Sequence, residues 1–358
     1  MRVGRTVGRQ ATSDRGFSHV HAHLEGDRRR RRRPVAVAIA TSTTATDGRQ
    51  RTSSYGRPMR FSYWAGASQP WNEILSACQH AEATGWDGVW CADHFMPFTG
   101  DIGGPVHECW SVLAGLAAAV PRVRIGSIVA GNTYRHPAVL AKQVATIDHI
   151  SGGRVVLGIG AGWQENEHIA YGLEYSTVKG RLDRLDEACA VITSLLRTER
   201  TTFDGEHYQL RDAPLEPKPV QARLPLLVGG GGEQRTMRIA ARWADEWNVW
   251  GMPDLMVHKG AVLDRHCADL GRDPVEITRS AIALMFIGTD QTWLTEMRSR
   301  DLGRPTIVGA PAEVVDIVHA YQQAGVSELL VPDFTMPDPA RKRDALDLFI
   351  NEVAPHFR

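Results

Sequence analysis

The stretch Leu224–Trp250, "LPLLVGGGGEQRTMRIAARWADEWNVW", decides how this chain folds. An apolar run reads as a buried strand, "EQRTMRIAARWA" reads as a helix, and "DEWNVW" reads as the next strand. Strand, helix, strand in direct succession is the unit of a parallel sheet. Between the first strand and the helix stand four glycines, Gly229 to Gly232. Glycine loses more backbone entropy on folding than any other residue, so four together call for a reason. One is a loose turn. The other is a backbone that approaches an anion at a helix N-terminus, where N–H groups are unpaired and the dipole is positive. Arg235 and Arg238 would add positive charge there.

The same alternation extends in both directions. "RFSYWAG", "DGVWCADH", "RVRIGSIVAG" and "RVVLGIGAG" read as four strands before this unit, and "VEITRSAIALMFIG" and "SELLVPD" as two after it. Helices are predicted over Trp71 to Thr84, through "WSVLAGLAAAV", "PAVLAKQVATIDHI" and "VKGRLDRLDEACAVITSLL", over Pro253 to Leu270, near Ala312 to Ala324, and over Asp338 to Val353. Eight strands alternating with helices make an α/β fold, a (β/α)8 TIM barrel. The segment from about Trp163 to Arg223 is an insertion between strands four and five, with "TTFDGEHYQL" as a hairpin turning at Asp204-Gly205. Functional residues of such a barrel lie at the C-terminal ends of its strands. Here those ends carry Trp64, Asp93-His94, Ile128 to Tyr134, Gly158 to Asn166, Gly229 to Gln234 and Asn248.

Composition divides the chain in two. Residues 1–58 hold 13 Arg and 4 acids, including the run Arg28 to Arg33, whereas the remainder carries a net charge of −9. Like-charge repulsion and low hydrophobicity predict a disordered basic extension over 1–58, ahead of a single domain at 59–358. An unstructured extension, or a start codon chosen too far upstream, is the plain reading of that arm. A nucleic-acid arm would want aromatics among its arginines, and an export signal would want a longer apolar run than "VAVAIA". No nucleic-acid partner is expected, and no run approaches the roughly 20 apolar residues of a membrane helix. The five cysteines are scattered without a CxxC pair, which argues for a reducing, cytoplasmic setting and against zinc. No metal site is expected: His19, His21 and His23 lack supporting ligands, and "ENEH" at 165–168 is not HExxH.

"LGIGAGWQENE" superficially suggests a dinucleotide loop, with Gly158, Gly160 and Gly162 after a strand. Trp163 occupies the place of the third glycine of GxGxxG, and no acid closes a following strand, so a Rossmann site is not expected. Close packing at a barrel rim and contact with a cofactor both remain open for these glycines.

From Met59 onward the chain resembles the luciferase-like monooxygenase superfamily, in its coenzyme F420-dependent oxidoreductase branch. The resemblance is carried by "GWDGVWCADHF", "IGSIVAGNTYRHPAVLAKQVATIDHISGGRVVLGIGAGW", "RLDRLDEA" and "LPLLVGGGGEQRTMRIAARWADEWN", in that order. It implies that Gly229, Gly230, Gly231 and Gly232, with Glu233 and Gln234, hold the cofactor's phosphate. It implies a deazaflavin across the barrel mouth, backed by a non-prolyl cis peptide at Ile128-Val129. Gly160, Gly162, Asn166 and Asp93 are then cofactor contacts. His94 becomes the proton-transfer residue, with Asp93 orienting it or bonding the cofactor; imidazole titrates near neutral pH. Trp163 stands where sugar-phosphate dehydrogenases of the family carry an acidic glutamate, so Trp163 and Trp64 are expected to wall an apolar, small-molecule substrate. The expected activity is hydride transfer between F420 and that substrate, by a homodimer. FMN, with a flavin monooxygenase activity, is the alternative, and a non-catalytic flavin-binding relative is another.

Overall fold

The computed structural model describes residues 58–97, 101–334 and 338–358. The extension expected over 1–58 lies outside the described residues except for Pro58. Met59 is buried, and its N–H donates to the carbonyl of Phe357 at 2.9 Å, tying the start of the domain to its end.

The chain runs β1 (Arg60–Trp64), α1 (Trp71–Thr84), β2 (Gly88–Cys91), α2 (Cys109–Ala119), β3 (Arg124–Ser127), β4 (Ala130–Gly131), α3 (Pro137–Ser151) and β5 (Val155–Gly160). The insertion follows as α4 (Glu165–Ala170), α5 (Val178–Arg197), β6 (Arg200–Asp204) and β7 (Gln209–Pro214). Then come β8 (Leu226–Gly229), α6 (Thr236–Trp243), β9 (Glu246–Trp250), α7 (Pro253–Asp269), β10 (Thr278–Ile282) and β11 (Leu284–Ile287). The chain closes with α8 (Gln291–Ser299), β12 (Thr306–Gly309), α9 (Pro311–Gln323), β13 (Glu328–Pro332) and α10 (Pro339–Glu352). Parallel pairing in the order β3-β2-β1-β13-β10-β9-β8-β5 is closed by β3 against β5, with β4 continuing the third stave. This is the TIM barrel read from the sequence. The hairpin β6–β7 is antiparallel and stands apart from it.

Three readings need correction. The third strand is not continuous: it breaks at Ile128-Val129, where the peptide is cis, as the resemblance implied for that bond. The apolar run taken as one seventh strand is two. β10 stays in the barrel, while β11 leaves it after Ala283 to pair with β12 in a separate two-stranded sheet. Both halves are largely buried, so their apolar character carries no mark of the division. Neither α8 nor β12 was anticipated. Finally, α6 begins at Thr236 and not at Glu233, because Glu233 to Arg235 form a turn between the glycines and the helix.

The barrel interior is filled in layers, as closure of parallel staves requires. At the N-terminal end Glu328 accepts from Ser62 Oγ at 2.6 Å, from Arg124 Nη1 at 2.5 Å and from Arg60 Nε at 3.1 Å. Arg124 also bonds Glu246. Above this ionic layer lie Trp90, Val156, Leu227 and Leu330. Trp90 takes its space from glycines: a Cβ on Gly126 would lie 2.3 Å from the indole and one on Gly88 2.5 Å from Ser62 Oγ. The top layer of Trp64, Ile128 and Ile282 is also the floor of the mouth.

Burial pushes the Glu246 carboxyl up despite Arg124, whereas for Glu328 the two guanidiniums and Ser62 outweigh burial and hold it below the usual range. Glu328 therefore contributes stability above the unfolded value of about 4.3, lost as pH falls through its depressed folded value. Arg124→Ala, which removes the ion-pair partner of buried Glu246 and leaves Glu328 with Arg60 and Ser62 alone, should cost about 3 kcal/mol in urea unfolding. Glu246→Gln should cost less than Glu328→Gln. Gly126→Ala, by contrast, should cost about 1–3 kcal/mol through forced displacement of Trp90.

Candidate active site

A cavity of about 480 Å³ opens at the C-terminal end of the staves. Its floor and one wall are apolar. Ile128 and Val129 lie beside Trp64, whose ring centroid is 5.8 Å from Trp250 and 5.3 Å from Phe334. The remainder is glycine backbone, from Gly160, Gly162 and Gly229 to Gly231, with polar side chains of Asp93, His94, Tyr134, Thr236, Asn248 and Arg304.

His94 owes its pose to Glu167, a carboxylate without solvent exposure on α4. Glu167 accepts from His94 Nδ1 at 2.8 Å, from the Phe95 N–H at 2.8 Å and from the Tyr134 hydroxyl. Burial works against its charge, but those three donors outweigh it and hold the Glu167 carboxyl below its ordinary value. The same contact, after burial, pushes the Tyr134 phenol up. An ionised carboxylate only accepts, so His94 Nδ1 must donate. Trp163, 55% exposed, sets its ring edge-on to the imidazole at 5.5 Å.

Asp93 does not orient His94. Its oxygens take Arg135 Nη1 at 2.5 Å, Arg135 Nη2 at 3.0 Å and the Gly131 N–H at 3.1 Å, and Arg135 reaches on to Glu108 at 2.8 Å. Burial pushes the Asp93 carboxyl up against the pull of Arg135. Asp93 thus fixes the loop after β4 from beneath.

The glycines divide by what lies over them. A Cβ on Gly229 or Gly160 would come within 2.7 or 2.8 Å of Val129 methyls, so these two make room for the protein's own side chain. Gly162 turns under Thr133 at φ +80°. Gly231 and Gly232 differ: among the described residues their N–H groups meet no protein acceptor. Lys259, on α7, donates to the Gly231 carbonyl at 2.8 Å and to Glu233 at 2.6 Å. Lys259 and then His258 hold the Glu233 carboxyl down at about 2. The arginines expected at this loop turn elsewhere: Arg235 to Asp183, and Arg238 to Asp269 at 4.0 Å.

Asp93, His94, Ile128, Val129, Gly160, Gly162, Gly229, Gly230, Gly231, Trp64 and Trp163 therefore share one cavity. Asn166, Gly232, Glu233 and Gln234 do not line it. Asn166 is exposed and accepts from the Glu167 N–H at 3.0 Å. Its neighbour Glu167 is the residue that bonds His94. Sequence reading missed Glu167, Lys259, Trp250, Phe334 and Arg304, and placed Tyr134 at a strand end without a role. Glu167 and Tyr134 stood inside quoted motifs, whereas nothing linked Lys259 to a glycine loop 28 residues before it.

The glycine strip, the N–H groups of Gly231 and Gly232 that meet no acceptor among the described residues, and the apolar floor fit a planar aromatic ring with a phosphate-bearing tail. Metal-holding groups of three or more His, Cys, Asp or Glu are absent among the described residues. None of the described helices is long and apolar enough to cross a membrane.

Comparison with known proteins agrees with the geometry. A model of the luciferase-like monooxygenase family matches residues 57–299. An F420-dependent glucose-6-phosphate dehydrogenase of Microbacterium testaceum is 39% identical over 191 residues, 52% of this chain and 55% of that protein. The chain thus spans about half the length of that relative. The Beutenbergia cavernae enzyme of the same name is 30% identical over 84% of this chain and 98% of its own length. The coenzyme F420-dependent tetrahydromethanopterin reductase of Methanopyrus kandleri superposes with a TM-score of 0.71 at 20% identity, over 84% of this chain and all of its own. That likeness establishes the fold.

Removing Glu167 orphans three donors. Glu167→Ala should cost about 2–3 kcal/mol in chemical denaturation. Glu167→Gln, which keeps an acceptor oxygen, should cost less. Because the Glu167 carboxyl is held below the unfolded value, the wild-type advantage should be full above about pH 4.3, the unfolded value, and be lost as pH falls through the depressed folded one.

Proposed function

The chain belongs to the luciferase-like monooxygenase family, and from that premise we propose that it is an F420-dependent oxidoreductase, transferring hydride between the deazaflavin and a small organic substrate. The observation that carries this reading is the pairing of a polar proton-handling side chain, His94 on buried Glu167, with a glycine-lined mouth. Bound F420 would supply the carbon that gives or takes hydride. The chain's own work is then positional and protonic.

The N–H groups of Gly231 and Gly232, with the Lys259 ammonium beside them, would hold the phosphate. Ile128, Val129, Trp64 and Trp250 would carry the ring and exclude water from it. His94 Nε2 would exchange a proton with the substrate oxygen, while Nδ1 stays committed to Glu167. Asp93 would act through Arg135 and Gly131 by fixing the loop behind the ring. Asn166, Gly232, Glu233 and Gln234 would reach the cofactor only through parts that extend beyond the cavity. The reading includes a homodimer working in the cytoplasm. The relatives named for glucose 6-phosphate carry that substrate in their names; here Trp163 beside His94 favours a less polar one.

Titration of residues 59–358 should give tighter binding of F420 than of FMN, followed by F420 fluorescence and by flavin quenching. Tight FMN binding with oxygen uptake and no F420 affinity would make the protein a flavin monooxygenase instead, and cofactor binding without turnover a non-catalytic relative. His94→Ala should lower kcat by about 10²-fold or more, with a smaller change in F420 affinity. Gly231→Asp should weaken cofactor binding far more than stability, since it sets a carboxylate where the phosphate would lie.

A further inference from the structure

A second cavity, of about 520 Å³, adjoins the first and shares Trp64, Ala92, His94, Arg304 and Phe334 with it. The His94 imidazole thus borders both cavities. Most of the further wall is apolar, from Met96, Pro97, Val106, Leu284 and Leu302.

Its charged groups are largely consumed by one another. Asp333, 1% exposed, accepts from the Tyr63 hydroxyl, from the Gly66 N–H at 2.8 Å, from Gln69 Nε2 at 3.0 Å and from Lys342 Nζ at 3.0 Å. Lys342 also donates to Gln69 Oε1 at 3.0 Å. This cluster is neutral and internally satisfied. Glu73 adds an acid to the wall. Arg304 is a cation without a carboxylate partner among the described residues, but it is exposed, with its guanidinium 5.1 Å over the Trp250 ring. A phosphate dianion is held by several converging charge-assisted donors. Among the described residues, one exposed guanidinium opposite a glutamate does not make such a site.

We propose that the second cavity receives the non-reacting tail of the substrate, and that the substrate is a neutral alcohol or carbonyl compound with an apolar tail of several carbons, not a sugar phosphate. The inference rests on the reading of the first cavity as the F420 and hydride-transfer site. The tail would lie between Val106 and Leu302, with the oxygen-bearing carbon at His94.

The test uses the F420-loaded full chain, titrated calorimetrically with 2-butanol, 2-hexanol, 2-octanol and glucose 6-phosphate, alongside KM values for the same compounds. Affinity should rise by up to about fourfold per added methylene, the transfer value for a buried CH2, and glucose 6-phosphate should bind more weakly than 2-octanol. Val106→Trp should flatten the chain-length dependence and leave 2-butanol and F420 binding unchanged. Leu302→Ala, a truncation that cannot overpack, should weaken 2-octanol and spare 2-butanol. Affinity independent of chain length, or tighter binding of glucose 6-phosphate, would overturn the proposal. A chain-length dependence in the calorimetry without turnover would sustain the cavity's role and overturn the hydride-transfer reading; turnover without that dependence would do the reverse.

Discussion

A carboxylate taken wholly out of water must be met by donors, because its desolvation is otherwise far too costly. Glu167 is such a group, and the mouth of the barrel is arranged around it. It stands on α4, in the loop region after β5; His94 and Phe95 follow β2, and Tyr134 follows β4. One side chain therefore draws three separate loops to a single point. The imidazole's orientation follows from that convergence, as does the Tyr134 ring that covers Gly131. Asp93 and Arg135 repeat the device one layer deeper, and their link to Glu108 extends it to the start of α2.

The height of the site is set from below. A parallel barrel must be filled, and this one is filled at its base by charge. Arg124 sits between Glu246 and Glu328 and 5.8 Å from the centre of the Trp90 ring above it. The indole rests on the cation, a favourable use of its π face, and fills the middle of the barrel because Gly126 yields the space. Trp64, Ile128 and Ile282 then form the next layer, which is the floor on which a planar ligand would lie.

The glycine clusters that draw the eye in the sequence have different physical roles. Gly160 and Gly229 face one another across Val129 and exist for packing. Among the described residues the N–H groups of Gly231 and Gly232 stay unengaged beside Lys259, an arrangement suited to an anion. Adjacent positions in one run of four thus divide between core packing and a binding surface. The helix behind them starts later than the sequence suggests: Glu233 to Arg235 form a turn, with Glu233 bonded to Lys259 and His258.

The sequence by itself determined the architecture, because hydrophobic periodicity and turn residues are local and repeat around the whole barrel. The staves, most of the helices and the hairpin of the insertion follow from it, and the strand ends place Asp93, His94, Trp64 and the glycines at one rim. Where local pattern is uniform, it was silent: nothing in "SAIALMFIG" marks the point at which β11 departs to join β12. Partnership between side chains was equally out of reach. His94 and Glu167 are 73 residues apart, and Asn166, one position away from the true partner, points to solvent. Adjacent residues on a helix face different directions, so a one-residue choice between an exposed amide and a buried carboxylate is made by the packing of α4. The same holds for Lys259 at the glycine loop and for the neutral cluster of Asp333 and Lys342. Such contacts depend on distances across the closed barrel, and only the tertiary structure decided them.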